Sequence, residues 1–277
     1  MEQAINVNRI LASLSAEELA RLSPDFEQVT LPVNQSLFRY GDAVESIFFP
    51  CTAVISLVCL LEGGRGVEIG LVGREGLVGL QTVLGPHNAT YAAEVLVPGR
   101  AMMVRAGALR RHYMLHDPLY QQLLLHSGAL LTQFSRLAVC NLCHHIPERV
   151  CRWLLMLQDR AAADEFHLTH EQIAEKLGIR RSGVTVQLGQ LEAAGAIQVS
   201  RGRIKILDRR KLEGLTCECY RYLGAEAGLA DVLPSALKGN AEAPSPHWPR
   251  QIDRAVAASA TERVLTNGAR ATAAVGA

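Results

Sequence analysis

From Pro118 to Ile146 the chain runs for nearly thirty residues at helical apolar spacing without an interior proline, and Pro147 then ends or kinks the run. Within it Tyr120, Ser127, Phe134 and Asn141 fall seven apart, and Leu123, Leu130 and Leu137 repeat the interval three positions later. That is an a/d-like stripe, the seam by which two helices pair. Tyr120, Leu123, Leu130, Phe134 and Leu137 are therefore the expected dimerisation residues. Three heptads leave open the alternative of a helix packed on its own domain.

The period is different on the N-terminal side. Residues 25–105 break into short β-branched and aromatic runs (Phe26–Leu31, Ile47–Pro50, Ala53–Leu61, Val67–Val72, Tyr91–Val97, Ala101–Arg105), punctuated by Gly41-Asp42, Gly63-Gly64, Gly73, Gly85-Pro86 and Pro98-Gly99. Regular short strands with glycine turns predict an antiparallel barrel or a double-sheet jelly roll. Residues 8–22 are helical by spacing, with Ser15 and Glu18 as a capping box. Residues 148–223 read as compact and mainly helical, with a short hairpin at 197–207. After Leu223 the composition shifts to Ala, Gly, Pro and Ser and aromatics nearly vanish, which predicts a disordered tail; Arg250–Leu265 could form a marginal helix there. The expected organisation is α+β: a roll over 1–117, a long helix over 118–146, a helical domain over 147–223 and an Ala-rich tail over 224–277.

The length, 277 residues, suits about two domains at roughly 100–200 residues each. No run of about 18 consecutive uncharged apolar residues occurs, and MEQAINVNRI lacks the basic-then-apolar order of a secretory signal, so a cytoplasmic protein with no membrane partner is expected. Seven cysteines, an odd number in a core-rich chain, argue for reduced thiols. The net charge of +1 conceals an uneven distribution: residues 176–211 hold nine bases and only two acids, Glu192 and Asp208. Such a block points to a polyanionic partner met by one domain.

Leu168–Ala196 (LTHEQIAEKLGIRRSGVTVQLGQLEAAGA) carries the chemistry. Thr169 and Gln172 form a capping box that starts a helix, Ile173 and Leu177 give it an apolar face, and Gly178 lets the backbone leave it sharply. A second helix follows with Val184, Leu188 and Leu191 on one face, opening on Arg180-Arg181-Ser182. Two short helices about a glycine turn are the helix-turn-helix arrangement, whose second helix sets its N-terminal side chains in a major groove. Arginine can donate two hydrogen bonds to guanine O6 and N7. Ser182, Thr185 and Gln187 are short polar groups suited to bases or phosphates. The hairpin after Gly195-Ala196 alternates apolar and polar residues and carries Arg201, Arg203 and Lys205 at and beside its tip, as a wing pressing on the phosphate backbone would.

These segments resemble the Crp/Fnr family of bacterial transcription regulators over about residues 8–223. The matching pieces are PVNQSLFRYGD (32–42), SIFFP (46–50), VGREGLVGL (72–80), the helix-turn-helix itself and SRGRIKILDRRKL (200–212). The resemblance implies a cyclic-nucleotide-binding-like roll, a long dimerisation helix and a C-terminal winged helix-turn-helix. It also implies a homodimer on pseudo-palindromic, double-stranded promoter DNA, with RNA polymerase as a further partner. Arg181 matches a base-reading arginine of the family. Arg180 and Ser182 are then phosphate or secondary contacts, and Thr169 holds a phosphate through its cap. Arg180 stands where many relatives carry a Ser or Thr cap.

The departures from the pattern are informative. Relatives that bind cyclic AMP carry Gly-Glu in the phosphate-binding segment and an arginine some ten residues on. Here the pair is Gly79-Leu80, and HNATYAA (87–93) contains no arginine. A buried phosphate without a cation is strongly disfavoured, so cyclic AMP is not expected. The roll is left to hold another small-molecule effector, around Gly76, Gly79, Leu80 and Thr90, or to act as a scaffold. No cysteine precedes Cys51, unlike the family's iron–sulfur sensors. Cys140, Cys143, His144, His145 and Cys151 suggest a metal site, yet Cys151 lies beyond Pro147 and two helical turns make a poor tetrahedral cage. Cys217-X-Cys219 has the wrong spacing for a usual zinc knuckle. Buried thiols are the expectation, with no metal and no cofactor; a redox- or metal-responsive regulator using Cys140 and Cys143 is the alternative. A cupin-like enzyme would need clustered histidines, whereas His87, His112 and His116 are scattered, and no GxSxG, HExxH or phosphate-loop motif occurs, so no enzyme activity is expected.

Overall fold

The computed structural model describes residues 7–85, 88–112 and 118–223; the tail from 224, including Arg250–Leu265, and His87 and His116 lie outside the described residues. Two short helices come first, α1 (Arg9–Ala12) and α2 (Ala16–Leu22). The helical spacing over 8–22 resolves into two helices because α1 ends at its cap Ser13 and Ser15 caps the next. Ser15 Oγ accepts from Glu18 N at 3.2 Å while Ser15 N donates to Glu18 Oε2 at 2.8 Å. Asn8 caps α1 and is wholly buried; its Nδ2 donates to Pro50 O and to Gly76 O, each at 2.9 Å, which fastens the N-terminus to the roll.

The roll comprises β1 (Phe26–Leu31), β2 (Ser36–Phe38), β3 (Ser46–Pro50), β4 (Val54–Leu60), β5 (Gly66–Val72), the short α3 (Gln81–Leu84), β6 (Ala92–Val97), β7 (Gly99–Arg105) and α4 (Ala106–His112). One sheet has the order β1-β7-β3 and the other β2-β6-β4-β5, with every pairing antiparallel. Ile47, Phe49, Ile55, Leu57, Met102 and Val104 fill the space between them, and the Phe26 and Phe49 rings meet edge to face at 5.6 Å.

The long helix α5 (Pro118–Cys143) lies along β5, the edge strand of the larger sheet. An edge strand exposes unpaired backbone groups, and α5 covers them: Leu71 N donates to Gln133 Oε1 at 2.7 Å and Gln133 Nε2 donates back to Leu71 O at 3.2 Å. Gly70 makes the close approach possible, since a Cβ there would stand 3.0 Å from the Phe134 ring. This packing occupies much of the stripe expected at the dimer seam, as in the alternative of a helix packed on its own domain. Leu123, Leu130 and Leu137 are buried in the chain's own cores, and Phe134 is half-buried against Tyr91, with ring centroids 6.4 Å apart; Tyr120 is also half-buried. The apolar face left exposed is one step round the helix, at Leu124, Leu125, Leu131, Val139 and Leu142. The helix is long and apolar enough to cross a membrane, with a mean hydropathy of 1.2, but its stripe of leucines is packed on the roll and the helical domain.

The chain turns at His144-His145 into α6 (Ile146–Ala161), followed by β8 (Glu165–Phe166), α7 (His170–Leu177), α8 (Arg181–Ala193), β9 (Ile197–Ser200), β10 (Arg203–Ile206), α9 (Arg209–Leu215) and α10 (Cys219–Leu223). Helix α6 is buried nearly all round, from Val150 to Leu157, as befits the central helix of a core. Trp153 and Leu154 pack there with Phe166, Ile173, Leu188 and Ile204. Its buried Arg160 reaches the roll through Glu75 at 2.9 Å and Leu71 O at 3.0 Å.

Candidate nucleic-acid interface

Helix α7 starts as its sequence dictates. Thr169 Oγ1 accepts from Gln172 N at 3.2 Å, and Thr169 N donates to Gln172 Oε1 at 2.9 Å. It ends at Gly178, whose φ of +63° lies in the left-handed region, so that Ile179 can lead directly into α8. Helix α8 is anchored by Val184, Leu188 and Leu191, all essentially inaccessible, on one side. The other side presents Arg181, Ser182, Thr185, Val186, Gly189 and Gln190 to solvent. Among the described residues no side chain caps the first turn of α8, where Arg180 takes the cap position in extended conformation.

Gln187, expected at the interface, is instead 5% exposed, because its helical phase is that of Val184 and Leu188. The residue one step earlier, Val186, takes the outward position at 61% exposure. Counting from the buried stripe rather than from polarity would have found it. His170 also joins the site: its Nδ1 lies 2.9 Å from Thr185 Oγ1, so the start of α7 and the face of α8 meet. Arg181 makes a loose ion pair with Glu171 at 3.8 Å, both side chains being mostly exposed. Gly189 has open space where a Cβ would stand, leaving the helix surface flat there.

Strands β9 and β10 pair antiparallel around Arg201-Gly202, with φ +69° at Gly202, and β8 extends the sheet through Ile204 and Lys205. Ile204 and Ile206 point into the core, so Arg203 and Lys205 point out by the two-residue period of a strand. Arg203 sits 3.5 Å from Glu165 on the neighbouring strand. The basic block is thereby sorted. Lys176 is tied to Glu94 of the roll at 2.7 Å, Arg209 to Asp159 and Glu213 at 2.7 Å each, and Lys211 to Ala194 O at 2.9 Å. Arg180, Arg181, Arg201, Arg203, Lys205 and Arg210 remain exposed on the domain surface.

The residues expected to hold an effector do not share a surface. Gly76 and Gly79 are buried; a Cβ at Gly76 would stand 2.2 Å from His126 Cε1, and one at Gly79 2.9 Å from Ser46 O. Leu80 is 6% exposed, whereas Thr90 faces solvent. The two glycines serve close backbone packing. The rings of Phe38, Tyr91 and Phe134 meet in succession between roll and helix, tilted and then edge to face, and Tyr91 OH donates to Gln81 Oε1 at 2.9 Å.

A β-roll joined by one long helix to a winged helix-turn-helix is the architecture of a helix-turn-helix transcription regulator. Residues 28–116 match the family model of the cyclic nucleotide-binding domain and residues 148–215 that of the Crp-like helix-turn-helix domain. The chain belongs to the Crp/Fnr family of transcription regulators. It is similar to a CRP-like cAMP-activated global transcriptional regulator of Mycobacterium tuberculosis, at 21% identity covering 76% of this chain and 98% of that one. It is also similar to a global nitrogen regulator of Synechocystis, at 23% identity covering 74% and 95%. Among solved structures, FixK2 from Bradyrhizobium japonicum matches with a TM-score of 0.60 at 18% identity, over 69% of this chain and 98% of that one, and so shares the fold.

Proposed function

We propose that the protein acts in the cytoplasm as a homodimer that binds pseudo-palindromic promoter DNA and meets RNA polymerase there. The observation that carries this reading is the solvent-facing row Arg181, Ser182, Thr185, Val186 on a helix whose opposite side is locked into the core. A duplex major groove accepts such a helix. Arg181 reads a guanine through paired hydrogen bonds, and Val186 offers apolar contact to a thymine methyl group. Arg180, Ser182, Thr169 and the uncapped first turn of α8 meet phosphates, for which a helix N-terminus has intrinsic affinity. Arg201, Arg203 and Lys205 of the wing hold the flanking backbone without reading sequence.

The dimer forms through the exposed face of α5. Leu124, Leu131 and Ala138 recur every seven residues, with Gly128, Ser135 and Leu142 four positions after each, and this face carries no charge. The mycobacterial relative is named as cAMP-activated. Here cyclic AMP is not the effector: Leu80 replaces the carboxylate that would hold the ribose, no arginine occurs in 88–93, and Phe38, Tyr91 and Phe134 pack between roll and helix. Selection of bound fragments from a random duplex pool by the purified chain tests the reading. A palindrome with half-site centres about 34–36 Å apart is expected. A pool that returns no enriched motif, or a single unpaired half-site, would sink it.

A further inference from the structure

Two pairs of residues 73 or more positions apart converge where the long helix ends. Cys140 and His144 stand one helical turn apart at the C-terminus of α5, while Cys217 and Cys219 flank the start of α10. Their four ligand atoms, three sulfurs and one imidazole nitrogen, lie within 4.8 Å of one another. Cys140 Sγ is 3.5 Å from Cys217 Sγ, and Cys219 Sγ is 3.7 Å from His144 Nδ1. All three cysteines are buried free thiols. We propose that Cys140, His144, Cys217 and Cys219 bind a single Zn2+ ion.

The geometry suits one small tetrahedral ion. With Zn–S near 2.3 Å and Zn–N near 2.0–2.1 Å, the edges of the ligand tetrahedron are about 3.5–3.8 Å, which the two measured edges match. A polynuclear iron–sulfur cluster would hold its ligands further apart. The second shell is also in place. His144 turns Nδ1 toward Cys219 and Nε2 toward Glu218, whose Oε2 is 3.3 Å away, the carboxylate–histidine arrangement that orients a metal-bound imidazole.

An independent feature points the same way. Arg152 is 2% exposed, its NH1 donates only to the Met156 sulfur, a weak acceptor, at 3.3 Å, and its Nε has no hydrogen-bond partner among the described residues. Its charge bears on the sulfurs of both Cys140 and Cys217. Three thiolates and a neutral imidazole around Zn2+ leave one net negative charge, which a buried guanidinium would offset. Binding releases the three thiol protons to solvent and changes no oxidation state. The ion would staple α10, the last of the described helices, to the end of α5, across the turn at His144-His145. Cys143, on the same turn as His144, is exposed and outside the cluster. This inference stands apart from the DNA-binding reading and is tested without DNA.

The tag-free full-length chain, purified under reducing conditions without chelator, is expected to carry about one equivalent of zinc by elemental analysis. Stripping with a chelator and adding Co2+ alone should give thiolate-to-cobalt charge transfer in the near ultraviolet and intense tetrahedral d–d bands. Re-adding Zn2+ alone should raise the melting temperature of the stripped wild-type chain with concentration, a readout that needs no variant to fold. His144→Gln, at the rim of the site, and Cys217→Ser should lose the cobalt spectrum, while Cys143→Ser keeps it. Glu218→Gln should keep the spectrum but weaken affinity roughly 10- to 100-fold; unchanged affinity would overturn the positioning role of Glu218. A reduced chain that takes up neither metal, a chain isolated with Cys140 and Cys217 joined as a disulfide, an iron chromophore, or wild-type affinity in His144→Gln and Cys217→Ser would each overturn the site.

Discussion

Trp153 Nε1 donates a 2.8 Å hydrogen bond to Glu68 Oε1, joining the central helix of the C-terminal domain to the edge strand of the roll. Ser56 Oγ donates to the other carboxylate oxygen at 2.7 Å. Burial pushes the Glu68 carboxyl up to about 7, against the opposing pull of Ser56, Lys176, Trp153 and Arg152. The folded chain thus favours protonated Glu68. The resulting stabilisation is full below the ordinary value of 4.5 and is lost as pH rises from there through about 7. Glu68→Gln mimics the neutral carboxyl, with its amide able to donate to Ser56. Urea titrations should find the variant gaining on the wild type between about pH 5 and about pH 8, by on the order of 3 kcal/mol at most. An identical pH profile for both would refute the assignment.

Arg160, 4% exposed, binds Glu75, Leu71 O, Met156 O at 3.1 Å and Leu223 O at 3.2 Å. Removing it leaves the largely buried Glu75 carboxylate without its cation, although Leu71 O keeps its bond from Gln133 Nε2. Arg160→Ala should cost about 3–5 kcal/mol, read as a shift of the denaturation midpoint. A loss below about 1 kcal/mol would mean that water replaces the guanidinium at no penalty.

Arg181→Ala should cost on the order of 1–3 kcal/mol and relax base preference at one position per half-site. Competition titrations against singly substituted operators measure this, and unchanged discrimination would remove Arg181 from base reading.

Arg203→Ala should weaken every duplex about equally and reduce the salt slope by about 1. A sequence-dependent loss in filter binding at several salt concentrations would instead make the wing a reader of bases.

Leu131 is 66% exposed and Leu130 7% on adjacent positions of α5. Leu131→Asp should yield a folded monomer by sedimentation and circular dichroism. Leu130→Ala should leave the dimer intact while costing about 2–5 kcal/mol of stability. The reverse pattern would return the seam to the stripe read from heptad spacing.

The strands of the roll, the long helix, the capping box at Thr169 and the glycine turn at Gly178 were legible because each rests on local rules of period, capping and backbone freedom. Helix α8 was legible in its apolar face, Val184, Leu188 and Leu191, but not at Gln187, since polarity suggested an outward residue where the buried stripe demanded an inward one. For α5, heptad spacing identified one apolar stripe but not whether a second copy or the chain's own roll covers it; the unpaired edge of β5 decided that.

What the sequence determined by itself is therefore the principal elements, their order and the family they compose, which follow from period, capping and turn chemistry within short stretches of chain. Only the tertiary structure decided which faces are hidden, which arginines are already paired, and that Cys140 and His144 meet Cys217 and Cys219. Those outcomes depend largely on contacts between residues far apart in the chain, 50 positions for Asp159 and Arg209, 62 for Leu71 and Gln133, and 73 or more for the cysteine–histidine cluster. Local spacing carries no information about such contacts, because the packing of whole elements sets them.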